Sequence, residues 1–362
     1  MLDLAHTSAL NPADSTLSCG VTSITYQASY FAICMYQTIL PLEQAIGHIL
    51  RHNLADERGR KALSKGHRIT PADLPRLRAL GVESLRVAVL EPSDIHEDEA
   101  ALRLADAVHG PGVSALAPAA SRVNLLADAD GVVHVDAERL LRINQIEGLT
   151  VATLPSNALV RARKRVATIK IIPFAVPEAA LRQAEAIGGM GAGIVSISPL
   201  QHLTIGVILV GSTAARERIE RGVAPAIEAR VVELGSSILA TRYVSPDEPA
   251  VAAAIAGLHA AGADMLIIAG ETSIMDRDDV TPQGIRLAGG RIEHYGAPVE
   301  PGNLLLLGYL DRPGGSIPVL GAPGCVRSRD TNIVDLLLPR LLAGESITRH
   351  DIVALGHGGL LG

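Results

Sequence analysis

The sequence predicts an α/β protein: a three-layer, mostly parallel sheet with helices on both faces, preceded by a smaller α+β domain. Three observations lead there. Apolar runs of strand length alternate with segments of helical period through the second half. Several of those runs end in glycine, which suits a buried strand giving way to a tight turn. The composition is 48% apolar but only 2% aromatic, with no tryptophan. Alanine, leucine, valine and isoleucine must therefore fill the interior, and they suit helix-on-sheet packing.

A chain of 362 residues exceeds what one ordinary core organises. The formal charge of −6, with no basic tract beyond RARKR at 161–165, argues against nucleic acid as a partner. No apolar stretch approaches the roughly 18 residues of a membrane span. Cys19, Cys34 and Cys325 are too few and too scattered for a disulfide framework or a zinc site. A reducing cytoplasm is the expected location. Residues 1–34 lack periodicity and read as a disordered or non-native extension, with Met35 as the expected start.

From Pro41 to Leu50 the apolar residues keep helical spacing. RITPADLPRLRALGVESLRVAVL predicts a helix capped by Thr70, with Pro71 in its first turn and Gly81 at its end, followed by a strand. Residues 112–175 alternate short apolar runs with turns, giving a mixed α+β domain over 35–187. One more helix follows, and GGMGAG at 188–193 is the expected linker.

The second domain, 194–345, begins with LTIGVILVG (203–211), a continuous apolar run that reads as a strand buried on both faces. Ala215, Ile219, Val223, Ile227, Val231 and Leu234 share one helical stripe closed by Gly235. SILATRY is a second strand. Ser245 and Glu248 form an expected capping box before the next helix. ADMLIIAG is the third strand, Thr281-Pro282 opens a helix, and RIEHYG, NLLLLGYL and IPVLGA are three short strands. A final helix spans NIVDLLLPRLLAG, and 346–362 form a tail.

Ligands of such sheets collect outside the carboxyl ends of the strands. Three glycine-bearing loops belong there: Gly211-Ser212, Gly270 to Asp279, and Gly321 to Cys325. Their amides suit phosphate oxygens. Asp276 and Asp278 could hold a magnesium ion bridging to such a phosphate; alternatively Asp278 and Asp279 favour the start of the next helix and Asp276 is solvated. Glu271 faces the same cleft or is an exposed loop residue. PVEPGN at 298–303 and APGCVRS at 322–328 are further binding loops or simple turns. Arg327 and Arg329 could reach phosphates. Cys325 has no base placed near it by sequence, and a small buried residue is the simpler reading. His294 reads as a packed or surface histidine rather than a ligand.

These motifs resemble the molybdopterin-binding domain shared by molybdopterin adenylyltransferases, molybdopterin molybdotransferases and the competence-damage-inducible proteins. The resemblance covers about residues 203–345 and rests on VILVGS, VVELG with SPDE, IIAGETSIMDRDDV, GGRIEHYGAPVEPGN and LGAPGCVRS. Ser273, Asp276 and Asp278 keep the family's middle motif. Ala269, Glu271 and Met275 depart from it where a threonine and two glycines are usual. Asn303 stands where the family's lysine would contact phosphate, and its amide lacks that charge. Cys325 stands where asparagine is usual. Upstream, KGHRITPADLPRLRALGVESLRVAVL resembles a segment preceding this domain in the molybdotransferases, and a front portion fused to the nucleotidyltransferase in some molybdenum-cofactor cytidylyltransferases.

The resemblance implies a pterin phosphate as ligand, either molybdopterin or adenylylated molybdopterin, bound by Gly211, Ser212, Gly270, Glu271, Ser273, Pro301, Gly302, Asn303, Pro323, Gly324, Cys325 and Ser328. If catalysis is retained, molybdate is inserted with magnesium held by Asp276 and Asp278. The alternative is a carrier or adaptor that passes the cofactor to a nucleotidyltransferase or a molybdoenzyme; a nucleotide pyrophosphatase is a third reading. Related domains often form trimers or dimers, so a homo-oligomer is expected.

Overall fold

The strand Thr204–Val210 (β1) has six of its seven residues buried. It lies between two parallel neighbours, Ser237–Val244 (β2) and Met265–Gly270 (β3). The computed structural model describes residues 36–119 and 121–361; the expectations for residues 1–34 and Met35 fall outside them. The next strands are Arg291–Tyr295 (β4), Leu306–Arg312 (β5) and Gly315–Gly321 (β6). The six strands are ordered β2-β1-β3-β6-β5-β4. β6 joins β3 in parallel, whereas β5 runs antiparallel to β6 and to β4.

Side chains alternate across this sheet as the two-residue strand period requires. Ile205, Val207 and Leu209 of β1 bury on one face with Ile219 of Arg216–Gly222 (α1), Ile227 and Val231 of Ala224–Glu233 (α2), and the C-terminal helix residues Leu337 and Leu341. Ile208 and Val210 bury on the other with Val251 and Ile255 of Glu248–Ala260 (α3) and Ile285 of Val280–Leu287 (α4). This is the expected three-layer arrangement. The single helix read over 213–234 is broken into a 3-10 turn at Thr213–Ala215 followed by α1 and α2. Gly222 and Pro225 flank the break, where a weak helix former and a missing amide coincide.

Asp247, rather than Ser245, caps α3: its carboxylate accepts from the Ala250 amide at 2.9 Å, and the Ser245 hydroxyl donates to the same carboxylate. The helix Ile333–Leu342 (α5) is capped by Asn332, with Asp335 accepting from the Asn332 amide at 2.9 Å. Beyond it, Ile352 of Arg349–Val353 (α6) is fully buried in the same core as α5.

Upstream, Tyr36–Pro41 pairs antiparallel with Ser84–Val89, which also pairs with Ile49–Leu50. The helix expected over 41–50 is replaced by turns between those strands. Both flanks enter the sheet and Gly47 takes a φ of 88°, leaving too short a span to sustain a helix. Leu42, Ala45 and Ile49 are buried all the same. The Thr70 region forms a 3-10 turn and the short helix Leu74–Ala79, with the Asp73 carboxylate accepting from the Thr70 amide and hydroxyl at 2.8 and 2.7 Å.

Residues 94–199 build small antiparallel sheets with the helices Glu97–Val108, Ala137–Asn144 and Glu178–Gly188. The strand after the glycine stretch, Val195–Pro199, pairs with Gly131–Val135. Arg161 then reaches across to the six-stranded unit: its guanidinium pairs with Asp130 at 2.8 Å and donates to the Glu233 carbonyl at 3.2 Å.

Candidate functional site

β1, β3 and β6 are adjacent and parallel, so their carboxyl ends open on one edge. Backbone bonds tie these ends together. The Glu271 amide donates to the Val210 carbonyl at 2.8 Å, and the Ala322 amide to the Ile268 carbonyl at 2.8 Å. The turns after β3 and β6, with Arg218, Ile219 and Gly222 of α1, line a cleft of about 140 Å³ that includes Gly270, Glu271, Thr272, Ser273, Pro323, Gly324 and Arg327; Gly211 and Ser212 sit beside it, outside the lining. Segments distant in sequence thus meet, as their shared position at this end of the sheet requires.

The first turn is tightly packed. A Cβ on Gly211 would come within 2.5 Å of the Tyr243 hydroxyl and 2.7 Å of Ile219, so only glycine fits without a shift. The Tyr243 hydroxyl donates to the Ser212 carbonyl at 2.7 Å. Burial raises the Tyr243 pKa, with the Glu271 charge adding to it.

The second turn carries the dominant charge. Glu271 Oε2 accepts from the Ser212 amide at 3.0 Å and from the Ser212 hydroxyl at 2.8 Å; its Oε1 accepts from Arg218 at 3.2 Å. The Ser212 amide and hydroxyl hold the Glu271 carboxyl below its usual value, with Arg218 contributing in the same direction. Ser273 faces the third turn, since a Cβ on Gly324 would lie 3.3 Å from its hydroxyl oxygen.

The third turn is a 3-10 segment, Gly324–Arg327, anchored from beneath by a guanidinium. Arg230 of α2 is 7% exposed. It donates to the carbonyls of Val326 at 2.9 Å and Ser328 at 2.8 Å, and to Asp335 of α5 at 2.7 and 3.2 Å. A buried guanidinium needs such a full set of acceptors. Arg327 donates to the Gly324 carbonyl at 3.0 Å and lines the cleft.

Other candidate residues lie outside this lining. A Cβ on Gly302, at φ 136°, would meet Ile333 atoms at 2.3 and 2.4 Å, so the Pro301-Gly302-Asn303 turn packs on the start of α5. Asn303 spends its side-chain amide on the Ala297 carbonyl at 3.3 Å. Ser328 donates to Asp330 at 2.7 Å. Burial pushes the Cys325 thiol up, with Glu300 acting in the same direction, which disfavours the thiolate a nucleophile needs. His294 is held towards its neutral form by burial and then by Arg349.

Asp276 and Asp278 are exposed on the loop after β3. Asp276 accepts from the Asp278 amide at 2.7 Å, and Asp278 from the Gln283 side chain at 3.1 Å. Asp279 accepts from the Asp276 amide at 3.0 Å. Among the described residues, no three or more histidine, cysteine, aspartate or glutamate side chains are grouped to hold a metal ion. Two carboxylates suit magnesium only within a shell completed by water and ligand phosphate.

Residues 206–343 match the family described as "Probable molybdopterin binding domain". This segment, about two fifths of the chain, is similar to that family. Residues 39–89 match a domain of unknown function, and no curated protein matches the chain. Among solved structures, the tungsten cofactor synthesizing protein MoaB from Pyrococcus furiosus is 18% identical; the match covers 40% of this chain and 89% of that one, with a TM-score of 0.27. The molybdopterin biosynthesis moea protein from Pyrococcus horikosii is 15% identical over 85% of this chain and 75% of that one, with a TM-score of 0.28. No helix among the described residues is long and apolar enough to cross a membrane.

Within residues 206–343, sequence reasoning missed three residues that shape the cleft: Arg218, Arg230 and Tyr243. Arg218 and Arg230 fall within the predicted helical segment but off its apolar stripe, and Tyr243 is the last letter of a predicted strand. Only the fold brings them to the turns.

Proposed function

We propose that the cleft binds the phosphate-bearing pterin of molybdenum cofactor biosynthesis, molybdopterin or its adenylylated form. The observation that carries this reading is the convergence of the turns after β3 and β6 on one cleft, with the turn after β1 joined to its edge through Glu271. Their amides, with Arg218 and Arg327, provide donors for a phosphate ester. The chain then acts as a carrier that hands the cofactor to a nucleotidyltransferase or a molybdoenzyme.

Insertion of molybdate is the second reading. The loop supplying Gly270 to Ser273 also carries Asp276 and Asp278, which would hold magnesium together with the ligand's phosphates. Magnesium would supply charge neutralisation there; Ser273, Gly324 and the cleft amides would position the ester.

Incubation of the purified chain with adenylylated molybdopterin, molybdate and magnesium separates the two. A carrier retains the nucleotide ligand intact. Release of adenylate only when molybdate is present, lost in Asp276→Asn, would establish insertion, and absence of binding to either pterin form would sink both readings.

A further inference from the structure

The Ser212 amide, the Ser212 hydroxyl and the Arg218 guanidinium converge on one point at the edge of the cleft. Such a set of donors, two neutral and one cationic, is the usual chemistry of an oxyanion site. The atoms at that point are the two carboxylate oxygens of Glu271, at 2.8 to 3.2 Å from the donors. Glu271 comes from a different strand end, 59 residues from Ser212 in sequence. It is a neighbour in space, not a local turn partner.

Both sides of the contact are accessible. Side-chain exposure is 62% for Arg218 and 32% for Glu271, and both residues line the cleft. Exposed ion pairs contribute little to folding, so the carboxylate can be displaced without dismantling the domain. The backbone that carries the donors is held independently of Glu271. Tyr243 fixes Ser212 through its carbonyl, and α1 carries Arg218 next to Ile219, which is buried at 2%.

We propose that Ser212 and Arg218 form an oxyanion site whose resident anion is the Glu271 carboxylate, so that a ligand's phosphate or other oxyanion binds only by displacing it. Glu271 is therefore a specificity residue. It lowers affinity for small free anions and selects ligands with enough additional contact in the cleft to offset the exchange. The ligand class is an oxyanion borne on a larger body; that this body is a pterin rests on the reading above.

The exchange is read by titrating inorganic phosphate into the full chain at fixed ionic strength and neutral pH, by calorimetry. Glu271→Ala is expected to bind phosphate at least tenfold more tightly than the unaltered chain, and Glu271→Ala with Arg218→Ala to fall back to within threefold of it. Glu271→Gln keeps the shape and one acceptor for Ser212, and is expected to gain at least threefold; it serves if the alanine variant does not fold. Equal phosphate affinity in the unaltered chain and in the folded Glu271 variants overturns the proposal, as does a gain that persists without Arg218. A parallel titration with molybdopterin keeps the two readings apart. If no variant binds molybdopterin more tightly than inorganic phosphate, the pterin assignment fails while the phosphate series still decides the role of Glu271.

Discussion

The turn after β6 and the loop after β3 border the same cleft, yet they are held in opposite ways. The turn at Gly324–Arg327 rests on the buried Arg230, whose donors reach the carbonyls of Val326 within the turn and Ser328 just past it, and the Asp335 carboxylate of α5. The loop from Glu271 to Asp279 is largely exposed and closed by its own carboxylates: Asp276 on the Asp278 amide, Asp279 on the Asp276 amide. A buried charge with many partners makes a rigid wall, because losing any one partner leaves the rest desolvated and unmatched. Exposed carboxylates on neighbouring amides can exchange with water at little cost. The difference teaches which side of the cleft is the more adjustable: the acidic one, facing a fixed wall.

Arg230→Ala should give the largest effect. Removing one member of a buried pair costs about 3 kcal/mol or more, so urea denaturation should show a loss of that size; a loss below about 1 kcal/mol would break the contrast. Gly302→Ala should follow. A methyl there meets Ile333 at 2.3 Å with φ at 136°, and overpacking combined with an unfavourable backbone costs about 2 kcal/mol. Thermal melting would register it. Tyr243→Phe removes one hydrogen bond to the Ser212 carbonyl, worth about 1 kcal/mol, and should loosen Ser212 without unfolding the sheet, as hydrogen exchange of the Ser212 amide would reveal.

Asp279→Asn, on the adaptable side, should change stability by about 0.5 kcal/mol or less; a loss rivalling that of Arg230→Ala would erase the distinction between the two walls. The acidic side should also respond to pH. The Glu271 carboxyl lies below its usual value of 4.5. A depressed carboxyl stabilises the folded state above its unfolded value, and that contribution disappears as pH falls through the folded value. Stability below pH 4.5 should therefore fall more gently in Glu271→Gln than in the unaltered chain, and identical acid profiles would remove Glu271 from the account.

Much of this was legible in the amino-acid order. Buried parallel strands write themselves as unbroken apolar runs, so β1 and β3 were readable, and glycine at their ends marked the cleft turns. What the order could not disclose was pairing at a distance. Nothing in EARVVE marks Arg230 as a buried anchor until α2 is laid beside α5. Glu271 reads as an exposed loop residue or an anion near the ligand, and nothing local says that Ser212 will be its partner. The segment 41–50 has helical spacing, but its ends belong to strands, and tertiary pairing overrode the pattern. At α3 two adjacent acceptors competed for one cap, and the choice of Asp247 over Ser245 depends on a backbone angle that residue types alone do not set.

The reversal of β5 has a consequence for how this protein can diversify. Leu306 opens β5 opposite Gly321, the last residue of β6, so the connection entering β5 reaches the rim where the parallel strands empty out. Residues 296–305 thereby lie beside that rim but outside the cleft lining, and change there is constrained, since Gly302 packs directly on Ile333 of α5. A single strand laid head to tail delivers to this end of the sheet a chain segment that an all-parallel arrangement would have turned towards the far side.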